Sequence, residues 1–291
     1  MKDSAKHIAI LMTCHNRREE TLGCLRRLFE QKLNPEVKLK VYLVDDGSID
    51  ATSEAVQASY PEVKVIKGDG SLYWGGGMRL AFAEALRNDY DYYLWLNDDT
   101  MLQPGAVGSL LSAHQSLANR GKSNSIVAGQ AQDPITGALT YGGVIRPSRW
   151  WPLKFRPIEA NGELQECETM DGNCVLIPRE VAKLVGNLDK IFTHRSGDWD
   201  YGLRARMLGC SIWVMPGFVG TCTRNPESIH WMGTNLPLIE RLKKVNHPKG
   251  IPLRERMVYS KRHAGPFWYL YWMAPYVYLF VGPTLKKLRR R

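Results

Sequence analysis

The chain has 291 residues, room for one large domain or one domain plus an appendage, and its 44% apolar and 23% charged content is that of an ordinary soluble globular protein. The net charge of +10 is not ordinary and points to an anionic partner: nucleic acid, anionic lipid or a phosphorylated ligand. Six cysteines form no Cys-x-x-Cys pair and no zinc-site spacing, and the start lacks a signal-peptide layout, so reduced thiols in the cytoplasm are expected.

Residues 8–13 are a short apolar run of the kind that makes a buried strand, and 18–31 place Leu22, Leu25, Leu28 and Phe29 at helical spacing. Residues 39–44 form a second β-rich run that ends at Asp45-Asp46-Gly47-Ser48, after which Asp50 is expected to cap a helix. Further strands are predicted at 63–66, 92–96 and 125–128, with helices over 75–88 and after Pro104. This alternation predicts a mostly parallel sheet flanked by helices, with ligand loops at the carboxyl ends of its strands.

From residue 133 the pattern changes. Residues 135–144 read as a hairpin, 146–166 as an irregular excursion, 175–177 and 212–215 as strands, and 199–208 as a helix. The tail over 267–283 is apolar and aromatic, and KKLRRR follows it closely. It is shorter than the ~20 residues of a spanning helix, and Pro275 is expected to interrupt it. Its aromatics and basic end suit an anionic membrane surface; the alternative is packing on the protein's own core.

Several loops carry candidate chemistry. Asp98 and Asp99 follow a buried strand, where paired carboxylates suit Mg²⁺ or Mn²⁺ shared with phosphate oxygens, or else form a capping turn. A carboxylate of Asp45 or Asp46 can accept the imide N–H of uracil or thymine, Gly47 permits close approach, and Ser48 can bond ribose or base; the alternative is an Asx turn. Arg17 has the forked guanidinium for diphosphate or ribose. Gly75, Gly76 and Gly77 would expose amides to phosphate at a helix start, beside Tyr73 and Trp74 as stacking platforms. Asp198, with Trp199 after it, opens a late helix and can act as general base, while Asp200 and Arg204, four apart, can pair and leave Asp198 free.

In this order and spacing the motifs Thr13–Arg17, Val44–Asp50, Asn97–Asp99 and Gly197–Arg206 resemble family 2 glycosyltransferases of the GT-A fold, over roughly residues 7–225. The resemblance implies a nucleotide-binding part over 1–132, an acceptor part over 133–225 and an extension over 226–291. It further implies that Thr13, Asn16, Arg17, Asp45, Asp46, Ser48 and Asp98 hold the nucleotide and Asp99 a divalent metal (Mn²⁺ or Mg²⁺). Tyr73, Trp74, Gly75, Gly76, Asp171, Gly172, Asn173 and Trp199 would line the sugars, with Asp198 as base for a single inverting displacement. The expected partners are a UDP- or dTDP-sugar ahead of a GDP-sugar, a glycan or lipid-linked glycan acceptor and the inner face of the cell membrane, as in surface polysaccharide assembly, with no nucleic acid. Asn97 replaces the usual first aspartate, Gly197 an acidic residue, and the usual late histidine is absent from Val219–Cys222, with His230 further on. A sugar nucleotidyltransferase and a basic nucleic-acid-binding module are the competing readings; the first lacks its glycine-rich loop after strand one, the second any motif.

Overall fold

Both faces of a parallel strand are covered by helices, so such strands read as continuous apolar runs. The computed structural model, which describes residues 5–224 and 236–288, bears this out. Its first half comprises β1 (Lys6–Cys14), α1 (Arg18–Phe29), β2 (Val37–Asp45), α2 (Thr52–Ser59), β3 (Lys64–Lys67), α3 (Tyr73–Ala85), β4 (Tyr92–Leu96), β5 (Met101–Leu102), α4 (Ala106–Asn119) and β6 (Ser125–Gln132). There follow β7 (Leu139–Tyr141), β8 (Gly143–Ile145), β9 (Arg156–Pro157), β10 (Gln165–Cys167), β11 (Thr169–Met170), β12 (Cys174–Pro178), α5 (Arg179–Val185), α6 (Gly197–Met207) and β13 (Ser211–Thr221). The chain ends in α7 (Leu238–Asn246), α8 (Leu253–His263) and α9 (Trp268–Leu288). His230 and the last three residues of the basic tail lie outside the described residues.

The main sheet runs β10-β13-β6-β12-β4-β1-β2-β3, with β11-β8-β9 as a second small sheet. β3, β2, β1 and β4 are parallel, and β12 enters antiparallel between β4 and β6. This reversal matters for the site. β1 and β2 end in register at Cys14 and Asp45, while Cys174 at the start of β12 faces Leu96 at the end of β4. The loops after β1, β2 and β4 and the loop before β12 therefore share one rim. β6 and β13 end there too, paired at Gln132 and Thr221.

Two local expectations are corrected and one is extended. Residues 135–144 do not pair as one hairpin: β7 pairs with β6 and β8 with β9 and β11, because the turn over 133–138 folds β7 back on the main sheet. Asp50 serves two helices, accepting from the Arg18 amide at the start of α1 and from the Thr52 amide at the start of α2. α9 runs unbroken through Pro275. The Tyr271 carbonyl, which proline cannot satisfy one turn earlier, accepts from the Arg256 guanidinium at 3.3 Å instead. No described helix is long and apolar enough to cross a membrane.

The glycines that open α3 are packing devices. All three are buried. The Gly75 amide donates to the Thr193 carbonyl, and the Gly76 amide to that of Leu72, so neither is held out as a phosphate donor. A Cβ on Gly75 would lie 2.5 Å from the Phe192 carbonyl oxygen, and one on Gly77 would overlap the Thr13 side chain. Gly77→Ala should therefore destabilise the fold by about 1–3 kcal/mol, the usual cost of overpacking. A urea midpoint equal to that of the wild type would show that β1 and α3 can separate at no cost.

Candidate functional site

The loop after β1 and the loop after β2 are laced together. Asn16, at positive φ of 51°, donates its amide to the Ser48 hydroxyl and accepts the Ile49 amide on its side chain. His15 Nδ1 meets the Asp46 carbonyl at 2.6 Å. Asp45 is buried and accepts from the Ser48 amide and the Ser53 hydroxyl. Asp46 accepts from the amides of Gly70 and Tyr73, both at 2.8 Å. Each Asp46 oxygen thus has one lone pair engaged and one left over, and the loop after β3 is drawn to the same rim. Thr13 lies beneath it, against Gly77.

At the end of β4, Arg17 lies across the acidic pair, 2.6 Å from Asp99 Oδ2 and 3.3 Å from Asp98 Oδ1. Burial pushes the Asp98 carboxyl up to about 7 even with the Arg17 charge pulling the other way. Its Oδ2 is buried with no hydrogen-bond partner. A paired carboxylate with one orphaned oxygen fits a hard divalent cation, which takes one or two carboxylates and leaves its other positions to phosphate and water. The described residues gather no group of three or more His, Cys, Asp or Glu around an ion, so phosphate oxygens would have to complete the shell.

Sequence reasoning missed Cys222. Its buried thiol donates to Asp99 Oδ1 at 3.4 Å and faces the Asn173 amide at 3.6 Å. The clue was positional: it directly follows β13, whose end reaches the rim through pairing with β6 and with β5, just after Asp99. Burial first, then the Asp99 charge, pushes this thiol up to about 12, so it stays protonated.

The base end is built by α6. Ser196, at positive φ of 64°, turns the chain into the helix. Asp198 then accepts from the Gly172 amide at 3.0 Å and the Trp199 amide at 2.8 Å, and it remains partly exposed. Burial and the neighbouring Asp171 charge push its carboxyl up to about 7. Asp171 in turn accepts from the Trp199 indole and the Gly142 amide. Trp199 packs edge-on against Phe155 at 4.9 Å, so its ring is committed to the protein.

The two ends meet through Trp74. Its indole donates to Asn97 Oδ1 at 2.8 Å, and its ring occupies the space a Cβ on Gly172 would need. Asn97, where an aspartate was expected, is thus tied to the aromatic that floors the base end. Asp99 and Asp198 belong to one connected rim and not to opposite sides of the molecule. A cavity of about 860 Å³ lies elsewhere, beside α4 around Ser109 and Met215, and holds none of these residues.

The family model described as "Glycosyl transferase family 2" matches residues 9–186. The chain is similar to the N-acetylglucosaminyl-diphospho-decaprenol L-rhamnosyltransferase of two Mycobacterium tuberculosis strains, at 24% identity over 208 residues, covering 65% of this chain and 67% of each relative.

Proposed function

The chain belongs to glycosyl transferase family 2, whose model spans more than half of it, and from that premise we propose that it transfers a hexosyl residue, with inversion, from a UDP- or dTDP-sugar to a hydroxyl of a lipid-linked glycan. The observation that carries this is the partly exposed Asp198 carboxylate at the start of α6, joined through Gly172, Trp74 and Asn97 to the Asp98–Asp99 pair.

In this reading Asp198 takes the proton of the acceptor hydroxyl as that oxygen bonds the anomeric carbon. The bond from the anomeric carbon to the diphosphate breaks in the same step, on the opposite face. Asp99, with Asp98 beside it, would hold Mn²⁺ or Mg²⁺, whose role when bound is to offset charge on the departing diphosphate. Arg17, now bridging the two carboxylates, is the guanidinium placed to turn to the diphosphate oxygens. Asp45, Asp46, Ser48, Asn16 and Thr13 shape the nucleotide end, where the remaining lone pair on each Asp46 oxygen suits a pyrimidine imide N–H. Tyr73, Trp74 and Asn173 line the sugars.

Support for a lipid-linked acceptor comes from the diphospho-decaprenol in the relatives' names, and support for a membrane surface from α9. Trp272, Tyr276 and Leu279 of α9 pack on Leu242, Val245 and Ile251. Phe267, just before α9, and Leu270, Val277 and Phe280 within it are half or more exposed. That apolar stripe, with a net charge of +10, suits an anionic lipid surface. All six cysteines are free, consistent with a reducing compartment.

The test is a donor screen: UDP-, dTDP- and GDP-sugars incubated with and without Mn²⁺, with released nucleotide measured. Release from a UDP- or dTDP-sugar that needs the ion and stops on chelation is expected. No metal-dependent release from any donor would remove the metal assignment, and the donor assignment with it.

A further inference from the structure

The corner where the C-terminal segment meets the rim is cationic, and of its residues the mechanism above uses only Tyr73. Tyr73, whose backbone sits at positive φ of 53°, is flanked edge-on by His194 at 6.1 Å and His247 at 6.0 Å. Arg195 adjoins the first histidine, and Lys249 donates its backbone amide to Nδ1 of the second. A neutral His247 bonded in that way keeps its proton on Nε2, which leaves a free donor. Nδ1 of His194 is buried with no hydrogen-bond partner. Burial first, then the charges of Lys249 and Arg195, lower the His194 imidazole to about 4. Glu255 of α8 does not neutralise them directly: its carboxylate is turned onto the Thr193 amide at 3.3 Å.

The location of this corner is informative. On one side it touches the rim, since the Tyr73 amide is held by Asp46, Trp74 borders Gly172, and Arg195 precedes Asp198 by a single turn of chain. On the other side it adjoins α9, since His247 and Lys249 lie between Val245 and Ile251, which pack on Tyr276 and Leu279. The order across the surface is apolar helix face, cations, general-base candidate. A lipid diphosphate sugar has the same order of tail, anion and hydroxyls.

We propose that His194, Arg195, His247 and Lys249, around Tyr73, form the subsite that grips the diphosphate of the lipid-linked acceptor and so delivers its sugar hydroxyl to Asp198. Two guanidinium or ammonium charges and two imidazole N–H groups supply the charge-assisted bonds that a diphosphate accepts. The inference rests on the acceptor class proposed above.

The test uses the full chain and farnesyl diphosphate as the probe, titrated by calorimetry with UDP and Mn²⁺ present. Arg195→Ala/Lys249→Ala should weaken its binding at least about tenfold, the scale of one or two lost charge-assisted bonds. Lys261→Ala, an exposed charge on α8, should bind as the wild type does. If the double variant is misfolded by circular dichroism, Arg195→Gln and Lys249→Gln are measured singly, and each should weaken binding. Equal loss of UDP affinity would assign the cations to the donor and overturn the proposal. So would loss of phosphatidylglycerol-vesicle binding with unchanged farnesyl diphosphate affinity, which would make them a headgroup site. Transfer to N-acetylglucosaminyl-diphospho-farnesol separates the two readings. Wild-type transfer with an acceptor KM unmoved in the variant defeats this inference and spares the function. Variant-sensitive farnesyl diphosphate binding without wild-type transfer does the reverse.

Discussion

Asp198→Asn is expected to lower transfer by about 10²-fold or more, the scale of lost general-base catalysis, while donor affinity persists. The amide keeps the shape of the carboxylate and can still accept one of its two bonds from Gly172 and Trp199, so the helix start should survive. What disappears is the basic oxygen. The pH profile carries the same signature. Burial and Asp171 put the Asp198 carboxyl at about 7, so the ionised, proton-accepting form declines as pH falls below that value. kcat/KM should fall tenfold per pH unit on that acid limb and level off above it. Asp171→Asn removes the charge that raises Asp198 and should move the limb to lower pH. Undiminished turnover in Asp198→Asn, at unchanged thermal stability, would take this residue out of the mechanism.

Two residues along the same helix, Asp200→Ala should produce the opposite phenotype: an enzyme that has lost its fold more than its chemistry. The Asp200 carboxylate is wholly buried and accepts from Arg204 Nε at 2.8 Å, Arg262 at 3.0 Å and His263 Nε2 at 2.9 Å. Truncation leaves that cationic cluster without its counter-charge, and breaking a buried pair in this way costs about 3–5 kcal/mol. The loss also unfastens α8 from α6, since Arg262 and His263 belong to α8. Burial works against ionisation of Asp200, yet the bonds from His263, Arg204 and Arg262 outweigh it and hold the carboxyl below its ordinary 3.8. A depressed carboxyl contributes stability above its unfolded pKa and loses it as pH falls through the folded one. The urea-midpoint gap between wild type and variant should therefore be full near neutrality and close only in acid below about 4. A gap that is small at neutral pH, or that widens in acid, would contradict the clamp.

The contrast between these two aspartates shows what a sequence can reveal. Asp200 and Arg204 are four residues apart on one helix, a relation set by helical geometry alone, and their pairing is found at 2.8 Å. Arg262 and His263 lie 62 and 63 residues further on, and no local pattern connects them to Asp200. The glycines of α3 teach the same lesson in reverse. A Gly-Gly-Gly beside aromatics reads as a phosphate cradle, because the sequence does not say that Thr13 and Phe192 approach from opposite directions.

Apolar periodicity and turn chemistry, which act over a few residues, determined by themselves the alternating elements of the first half. They also placed Thr13, Asp45, Asp46, Asp98 and Asp99 at strand ends and Asp198 at a helix start. The tertiary structure alone decided that β12 runs antiparallel between β4 and β6, which brings Asn173 and Gly172 to the rim. It alone placed Cys222 against Asp99, tied Trp74 to Asn97, and set His194 and His247 around one tyrosine. These contacts join segments tens to more than a hundred residues apart, and their energy is realised only when the sheet assembles, so nothing in the local pattern of either segment records the other.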